Sequence, residues 1–510
     1  MSEKRTLLIL TLAVLAIISL PYLLGFQAGS QLSRFGGFLI NPVDGHSYLA
    51  KMQQGVRGDW RFRLPYTAEP GEGAYVFLFY LGLGHLSRVM NLPVISVFHL
   101  ARLVSAVWLI WVIHQMVRSL FKDPKAIWFG LILSLFGSGL GWLAALSGGF
   151  TSDFWVAEAY PFLAMYTNPH FTVGLGLMLY ALLPDRRENL RSNLIAGLLL
   201  GLIQPFSVVI ISLVKLSDAG IKVFRERSSF KEILEADWFW PRIGFCLAGG
   251  MVLIYQYWAI LSDPVLSLWH QQNITPNPGV LDLLISLSPA LILGGIGVRK
   301  AWKEDEGRML VLWAGISLIL VFIPWRLQRR FLTGIYFPLA GLSVFGVLAL
   351  VQRTSIKFRH WVIATLFFAI PTNLIVLASG LQAIASRNPS IFLDRDLLQG
   401  LAWINSNSGQ KDLVLADPEH GLTIPSLTGR RVVYGHPFET VQAEDEAAFL
   451  EEVFYGQHKA DFYQRALKTR SFDYVMLDSS QAQDFNRWLV DNRDLVFQSN
   501  EIMIYSGQIE

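Results

Sequence analysis

The chain has 510 residues, of which 53% are hydrophobic and only 16% are charged, and its formal net charge at pH 7 is +3. This composition is typical of a protein solvated largely by lipid. The small net charge, without a basic stripe interleaved with aromatic residues, makes nucleic acid an unexpected partner. Cys246 is the only cysteine, which excludes an intrachain disulfide and a cysteine-based zinc site.

The first apolar stretch follows Lys4 and Arg5 and runs over residues 7–26. A secretory signal peptide is one interpretation of this pattern. The stretch is long for a signal peptide and no clear small-residue cleavage site follows it. We therefore expect a retained membrane helix whose charged start lies in the cytoplasm.

Nine further apolar stretches have the length of a membrane span or nearly so. They lie at about residues 94–120, 126–146, 171–183, 194–216, 243–261, 280–298, 309–324, 331–351 and 361–381. Short basic loops lie between them, at residues 122–125, 186–191, 222–242, 299–308 and 353–360. The positive-inside rule places these loops in the cytoplasm.

Keeping every basic loop in the cytoplasm requires two adjustments. The run at residues 75–90 becomes a helix in the outer membrane interface rather than a full crossing. The stretch at 194–216 becomes a hairpin of two half-helices broken at Gln204-Pro205, since proline cannot continue a helix from within. The predicted fold class is a multi-pass α-helical membrane protein with about ten or eleven spans.

This topology gathers the polar loops on the outer face. Residues 1–385 are predicted to form the transmembrane domain, with residues 29–74 as its first outer loop. Residues 386–510 are predicted to form a small extracytoplasmic α/β domain. Helix periodicity predicts helices at about 397–404, 443–455 and 460–467, and β-rich runs predict strands at 413–416, 432–434, 474–477 and 501–505.

Asp44 is the most informative residue of the first outer loop. It follows the membrane exit by a short stretch and precedes an apolar pattern at helical spacing. A carboxylate at a water–lipid boundary can act as a general base on a hydroxyl or help to hold a divalent cation. The alternative is an aspartate that only caps the following helix.

Three other polar residues are candidates for substrate binding on the outer side: His46, Glu69 and His170. His46 is close to Asp44 in sequence and could orient it. Each of the three also has a purely structural interpretation, as a solvated histidine, a loop charge or a helix-capping residue. In the tail, His436 lies in a Gly-His-Pro sequence and is predicted to be a turn residue.

Arg326, Arg329 and Arg330 lie in one short turn between two apolar stretches, at the outer end of both. Arginines there run against the positive-inside bias. Guanidinium groups bind phosphate oxygens in paired geometry, so this cluster is suited to a lipid phosphate or pyrophosphate. The alternatives are that these arginines extend to the membrane surface without a ligand, or that the turn lies in the cytoplasm.

Taken together, the layout resembles the GT-C superfamily of polytopic membrane glycosyltransferases. The resemblance is carried by the N-terminal membrane helix, the acidic residue in the segment 44–50, the interfacial helix and the soluble tail. Uncharacterised bacterial members are similar in the tail segments 401–404, 428–437 and 472–475. The Trp-Trp-Asp motif of the oligosaccharyltransferases is absent from the tail, so protein N-glycosylation is not expected.

The resemblance implies a multi-pass protein of the bacterial plasma membrane that uses a polyprenyl-phosphate sugar donor and inverts the anomeric carbon. It implies Asp44 as the base and Arg329 and Arg330 as ligands of the donor phosphate. The acceptor is left open between a glycan, a lipid and a protein. Metal dependence varies in the superfamily, so a divalent cation is possible, whereas no nucleotide-binding motif is visible.

Two other functions fit a polytopic chain. A transporter or flippase for a lipid-linked or small polar substrate usually shows inverted repeats and ionisable residues in mid-membrane. The sequence has no evident repeat and its apolar stretches are almost uncharged. A non-catalytic scaffold of an envelope polysaccharide pathway is the second alternative.

Overall fold

A computed structural model describes residues 3–468, 470–480 and 482–507. The outer bounds of the two predicted domains, residues 1 and 510, lie outside the described residues. The chain divides into two compact units. Unit 1 comprises Met1–Pro21, His99–Tyr255 and Ile274–Gln382. Unit 2 comprises Tyr22–Phe98, Gln256–Asn273 and Ala383–Glu510, so it combines the first outer loop with the predicted tail domain.

Four helices have residues assigned to both units. They are α1 (Glu3–Gln27), α4 (Val94–Leu120), α13 (Phe239–Ser262) and α20 (Pro371–Ala385). The remaining helices of unit 1 are α5 (Pro124–Phe136), α6 (Gly141–Ala145), α7 (Pro161–Thr167), α8 (Pro169–Leu182), α9 (Pro184–Arg187), α10 (Leu190–Ile203), α11 (Pro205–Glu226), α12 (Phe230–Glu235), α15 (Val280–Leu287), α16 (Ala290–Ala301), α17 (Asp305–Leu320), α18 (Tyr336–Arg353) and α19 (Phe358–Ala369).

The multi-pass helical architecture is confirmed. Among the described residues, five helical segments are long and apolar enough to cross a membrane, or six if the bent pair α15–α16 forms one span. Three further apolar helices, α5, α8 and α10, are only 10–17 residues long. Single long helices therefore do not reach the predicted ten or eleven spans, and that number stays a prediction.

Prolines account for the broken helices. The predicted break at Gln204-Pro205 is confirmed, because α10 ends at Ile203 and α11 begins at Pro205. The stretch predicted at 280–298 is not one helix: α15 and α16 meet at Ser288 and Pro289 and are bent by 78°. Proline has no N–H for the preceding turn, so it begins a helix readily and interrupts one.

Unit 2 contains a five-stranded mixed sheet in the order β4-β3-β5-β7-β6. Its strands are β3 (Leu413–Ala416), β4 (Arg431–Val432), β5 (Tyr474–Asp478), β6 (Leu495–Gln498) and β7 (Ile502–Ser506). Strand β3 pairs in parallel with β4 and β5, whereas β7 is antiparallel to β5 and β6. The predicted strands at 413–416, 474–477 and 501–505 are thereby confirmed within a residue or two.

Both faces of this sheet are buried. Leu415 and Val475 pack with one apolar cluster, and Val414 and Met476 pack with the other, as the alternation of a strand requires. The helices of the tail are α21 (Arg395–Asn407), α22 (Thr423–Thr428), α23 (Ala443–Tyr455), α24 (Ala460–Lys468) and α25 (Gln483–Asn492).

The first outer loop forms helices α2 (Pro42–Arg57) and α3 (Leu78–Met90), and residues 256–273 contribute α14 (Pro264–Gln272). A two-stranded antiparallel sheet joins β1 (Ser33–Phe35) to β2 (Phe392–Asp394). Helices α2 and α3 approach closely at Gly55 and Gly84, where a Cβ on either glycine would overlap a backbone carbonyl of the other helix.

Gly84→Ala is therefore expected to lower the thermal unfolding midpoint of the purified protein, because forcing a methyl group into this contact costs about 1–3 kcal/mol. Gly82→Ala is the control on the same helix, since its Cβ would meet no atom within 4 Å. There the better helix propensity of alanine should raise the midpoint slightly. Equal midpoints for the two variants would contradict the close packing of α2 on α3.

Candidate functional site

Asp44 lies in the first turn of α2, but it does not cap that helix. The cap is Asn41, which adopts a left-handed backbone with φ 48° and accepts the Asp44 N–H through its side chain. The Asn41 amide in turn donates to Oδ2 of Asp44. The Asp44 side chain is 40% exposed. The capping role considered for Asp44 is thus filled by its neighbour, which leaves its carboxylate oriented and open to water.

His436 of the tail faces the same carboxylate. Its Nε2 lies 3.6 Å from Oδ1 of Asp44, and its side chain is 2% exposed. The backbone N–H groups of Phe438 and Glu439 both donate to Nδ1 of His436, at 3.1 Å each. The prediction of a turn was correct for this residue, but a turn pattern gave no sign that its ring would meet Asp44.

A buried ion pair connects the same two segments. The Lys51 ammonium lies 2.6 Å from Oε1 of Glu439, and their side chains are 1% and 13% exposed. Ser47, one turn before Lys51 on α2, donates to Glu439 and accepts from Lys51. Burial would raise the pKa of Glu439, but the Lys51 ammonium and these hydrogen bonds lower it below its usual range. The pair therefore remains ionised inside the unit.

His46 has a structural environment. Ser426 donates its hydroxyl hydrogen to the Thr423 carbonyl, so the 2.8 Å contact between His46 Nδ1 and Ser426 Oγ has the histidine as donor. Burial lowers the pKa of His46 to about 4, and the ring packs against Phe38 at 5.7 Å between centroids. The substrate-binding role predicted for His46 stays a prediction.

Glu69 lies exposed in its loop, and its predicted role also stays a prediction.

Arg329 and Arg330, in unit 1, share one acidic partner. Their guanidinium nitrogens lie 3.7 and 3.4 Å from the same oxygen of Glu158, which is 5% exposed. Arg329 also covers the ring of Trp155, at 4.8 Å from the centroid. Arg326 is exposed, and its backbone carbonyl accepts the Thr275 N–H. Glu158 thus holds the two guanidinium groups close together.

His170 is the second residue of α8 in unit 1, and its ring lies 4.0 Å from that of Phe171. Asp153 of the neighbouring loop is fully buried and accepts the backbone N–H groups of Gly139 and Gly141. Asp153 and Glu158 are the acidic residues of the loop that precedes α7, and both have partners other than His170. A substrate role for His170 stays a prediction.

One group of acidic residues has the spacing of a metal site within the described residues. Single carboxylate oxygens of Asp394, Asp396 and Glu501, in unit 2, all lie within 4.8 Å of one another. Asp394 and Glu501 are exposed. Such surface clusters occur without an ion, so this group establishes no cofactor.

No protein-family model and no curated protein matches the chain. Solved structures match it along nearly its whole length. The oligosaccharyltransferase of Archaeoglobus fulgidus in complex with zinc and sulfate has a TM-score of 0.52 at 12% identity, covering 98% of this chain and 73% of its own. The same enzyme tethered to an acceptor peptide has a TM-score of 0.53 at 11% identity, covering 98% and 74%.

Arabinofuranosyltransferase AftD from Mycobacteria has a TM-score of 0.54 at 13% identity, covering 100% of this chain and 42% of its own. The chain has a GT-C fold. At 11–13% identity the similarity establishes the fold only. The activity has to be argued from the residues of this chain. The resemblance predicted from the sequence is confirmed at that level.

The sequence indicated the GT-C layout and singled out Asp44 as a candidate, but it gave no sign of the residues around Asp44. Lys51 and Glu439 received no role, because each is an ordinary charge in its local sequence. Lys51 follows Ser47 by four residues, which places both on one face of α2. Lys51 lies on a face of α2 that also carries apolar residues, and this pattern could have indicated that its side chain is buried.

Lys51→Met is expected to destabilise the protein by about 3–5 kcal/mol at pH 7, because it leaves the Glu439 carboxylate buried and unpaired. Part of that loss should be recovered at pH 5: without Lys51, burial raises the pKa of Glu439, and a proton bound only in the folded state stabilises it. In wild type, the contribution of this pair should be lost only as the pH falls below about 4, the ordinary pKa of a glutamate, because the pKa of Glu439 is lowered in the folded state.

The control is Lys231→Met, which removes an exposed pair with Glu235 whose side chains are 84% and 66% exposed. That change should shift stability by less than about 0.5 kcal/mol. Thermal unfolding of the purified protein at pH 7 and pH 5 measures both variants. Equal midpoints for the two variants would show that the Lys51–Glu439 pair does not hold unit 2 together.

Proposed function

We propose that this protein is a membrane glycosyltransferase that moves a sugar from a polyprenyl-phosphate-linked donor to an acceptor hydroxyl on the extracytoplasmic face. The GT-C fold, shared with two kinds of glycosyltransferase, supports the class of reaction. The observation that carries the proposal is Asp44: a carboxylate that is oriented by Asn41, faced by His436 and still 40% exposed. A plasma-membrane location in a bacterium belongs to the same proposal.

The reaction asks little of the protein, because a phosphate is already a good leaving group. Asp44 accepts the proton of the acceptor hydroxyl as its oxygen forms the new bond to the anomeric carbon. The bond from that carbon to the phosphate oxygen breaks on the opposite face, and the electron pair leaves with polyprenyl phosphate. One carboxylate within hydrogen-bonding reach of the acceptor can supply this proton transfer.

The donor phosphate is assigned to Arg329 and Arg330. The two guanidinium groups lie side by side at the single carboxylate of Glu158, so the cluster presents two neighbouring sets of N–H donors. Arginine pairs with phosphate oxygens through two parallel N–H groups. Arg326 is exposed in the same turn and is proposed as an additional contact. This assignment requires the turn to face the same aqueous side as Asp44.

A divalent cation has to be considered as a cofactor, because the structure of the Archaeoglobus oligosaccharyltransferase is a complex with zinc. Beside Asp44, the residue that could act as a second ligand is His436, whose Nε2 lies 3.6 Å from Oδ1 of Asp44. A metal-bound histidine uses one nitrogen as ligand and donates an N–H from the other. Because Nδ1 of His436 accepts two N–H groups, His436 does not fit that role, and no step is assigned to a metal.

The acceptor is proposed only as a hydroxyl compound, with a glycan, a lipid and a protein all compatible with the site. The 40% exposure of the Asp44 side chain allows an acceptor to approach from water. Acceptor hydroxyls of any of these classes would present the same proton to the base. The assay therefore needs a panel of acceptors, and its common readout is the released polyprenyl phosphate.

Asp44→Asn is expected to lower turnover by about 100- to 10,000-fold, the usual contribution of a general base, without changing the thermal midpoint. Release of polyprenyl phosphate from a panel of polyprenyl-phosphate sugars, by protein in nanodiscs, measures it. Asp59→Asn is the control, because Asp59 lies in the same loop and its side chain is also 40% exposed. Normal turnover of Asp44→Asn would remove Asp44 from the mechanism.

A further inference from the structure

The geometry points to His436 as a positioning residue for Asp44. We propose that its ring is neutral, carries its proton on Nε2, and donates that proton to Oδ1 of Asp44 when the acceptor docks. This inference rests on the proposed function, since it takes Asp44 to be the base. It assigns a positioning task to a tail residue that the sequence alone predicted only as part of a turn.

The position of the proton follows from the partners of the ring. Nδ1 of His436 accepts the backbone N–H groups of Phe438 and Glu439, at 3.1 Å each. A nitrogen that accepts two hydrogen bonds carries no hydrogen of its own, so the proton of the neutral ring is on Nε2. That nitrogen is buried and makes no hydrogen bond within the described residues. The atom it faces is Oδ1 of Asp44.

The turn that carries His436 is rigid. The Thr440 hydroxyl oxygen accepts the backbone N–H groups of Gly435 and His436, and Thr440 is fully buried. Glu439, the residue before Thr440, is fixed by its ion pair with Lys51. The His436 ring also packs against Tyr66, at 5.6 Å between centroids. The ring is therefore held with Nε2 toward α2, and rotating it away would break both bonds to Nδ1.

The two oxygens of Asp44 are held differently. Oδ2 accepts a hydrogen bond from the Asn41 side chain, whereas Oδ1 is 3.6 Å from Nε2 of His436, which is beyond a hydrogen bond. Catalytic hydrogen bonds are often long without substrate and shorten when it binds. Closing this gap would fix the plane of the carboxylate with a donor on each oxygen. A base fixed in its plane is aligned with the acceptor proton.

The same geometry excludes two other roles for His436. Nδ1 could take up a proton only by giving up both backbone N–H groups, so the ring is unsuited to passing a proton onward from Asp44. It is equally unsuited to bind a cation through Nε2, which carries the hydrogen. A ring that only fills space would tolerate any residue that satisfies the two N–H groups, and this difference provides the test.

The substitution His436→Asn distinguishes the role of Nδ1 as an acceptor from the role of Nε2 as a donor. The asparagine Oδ1 takes the place of Nδ1 and can accept the N–H groups of Phe438 and Glu439, but nothing replaces the Nε2 donor. We expect a thermal midpoint near that of wild type, an unchanged KM for the acceptor, and a kcat about 10- to 100-fold lower, as for a misaligned reacting group. His436→Gln keeps an N–H at the reach of Nε2 and should recover most of kcat.

His458→Asn is the control for the substitution itself, because His458 is also in the tail, stacked on Phe462 and paired with Glu452. It should leave kcat unchanged. A wild-type kcat for His436→Asn would overturn the positioning role, and so would a loss of kcat in His436→Asn that added Zn²⁺ or Mn²⁺ reverses. Failure of the proposed function is a separate result, in which Asp44→Asn itself turns over normally.

A second measurement does not depend on how the variants fold. Nitrogen-15 NMR of the wild-type protein with labelled histidine distinguishes the two neutral tautomers, and the His436 signals are those missing from His436→Asn. The proposal predicts a hydrogen on Nε2 and a bare Nδ1 at pH 7. A hydrogen on Nδ1 would overturn the proposal whatever the kinetics show.

Discussion

The ion pair between Lys51 and Glu439 is the interaction on which the architecture of unit 2 depends. It joins helix α2 of the first loop to a turn 388 residues later in the chain. An ammonium and a carboxylate removed from water this completely are stable only as a pair. Because Glu439 stands three residues after His436, the pair that holds the segments together also places the imidazole beside Asp44. The Lys51–Glu439 contact therefore both stabilises unit 2 and positions His436 beside the proposed base.

The sequence predicted a helix or strand well wherever the residues of that one segment were enough to indicate it. Helix α4 and strand β3 agree with their predicted bounds to the residue, since apolar length and β-rich runs are local properties. The strand pair β1–β2 was missed, because its three-residue strands lie in distant parts of the chain. The bend between α15 and α16 was missed although Pro289 was visible, because the apolar run on both sides masked it.

The candidate site shows the same division. Asp44 could be found because its position after the first membrane helix is part of the GT-C layout. His436 could not, because a Gly-His-Pro turn looks the same whether its ring points to water or to a carboxylate. Glu158 became informative only once its two arginine partners were known. Residues that act in pairs from distant segments are visible only in the folded chain.

The reaction requires the base, the arginine turn and the tail to face one aqueous side, and thiol accessibility tests this most directly. On a Cys246→Ser background, single cysteines replace Glu72, Arg326 and Glu444, with Lys231→Cys for the cytoplasmic side; all four positions are exposed. The account predicts that an impermeant thiol reagent labels the first three in intact cells and Lys231→Cys only after permeabilisation. Labelling of Arg326→Cys only after permeabilisation would contradict the donor site and the proposed transfer.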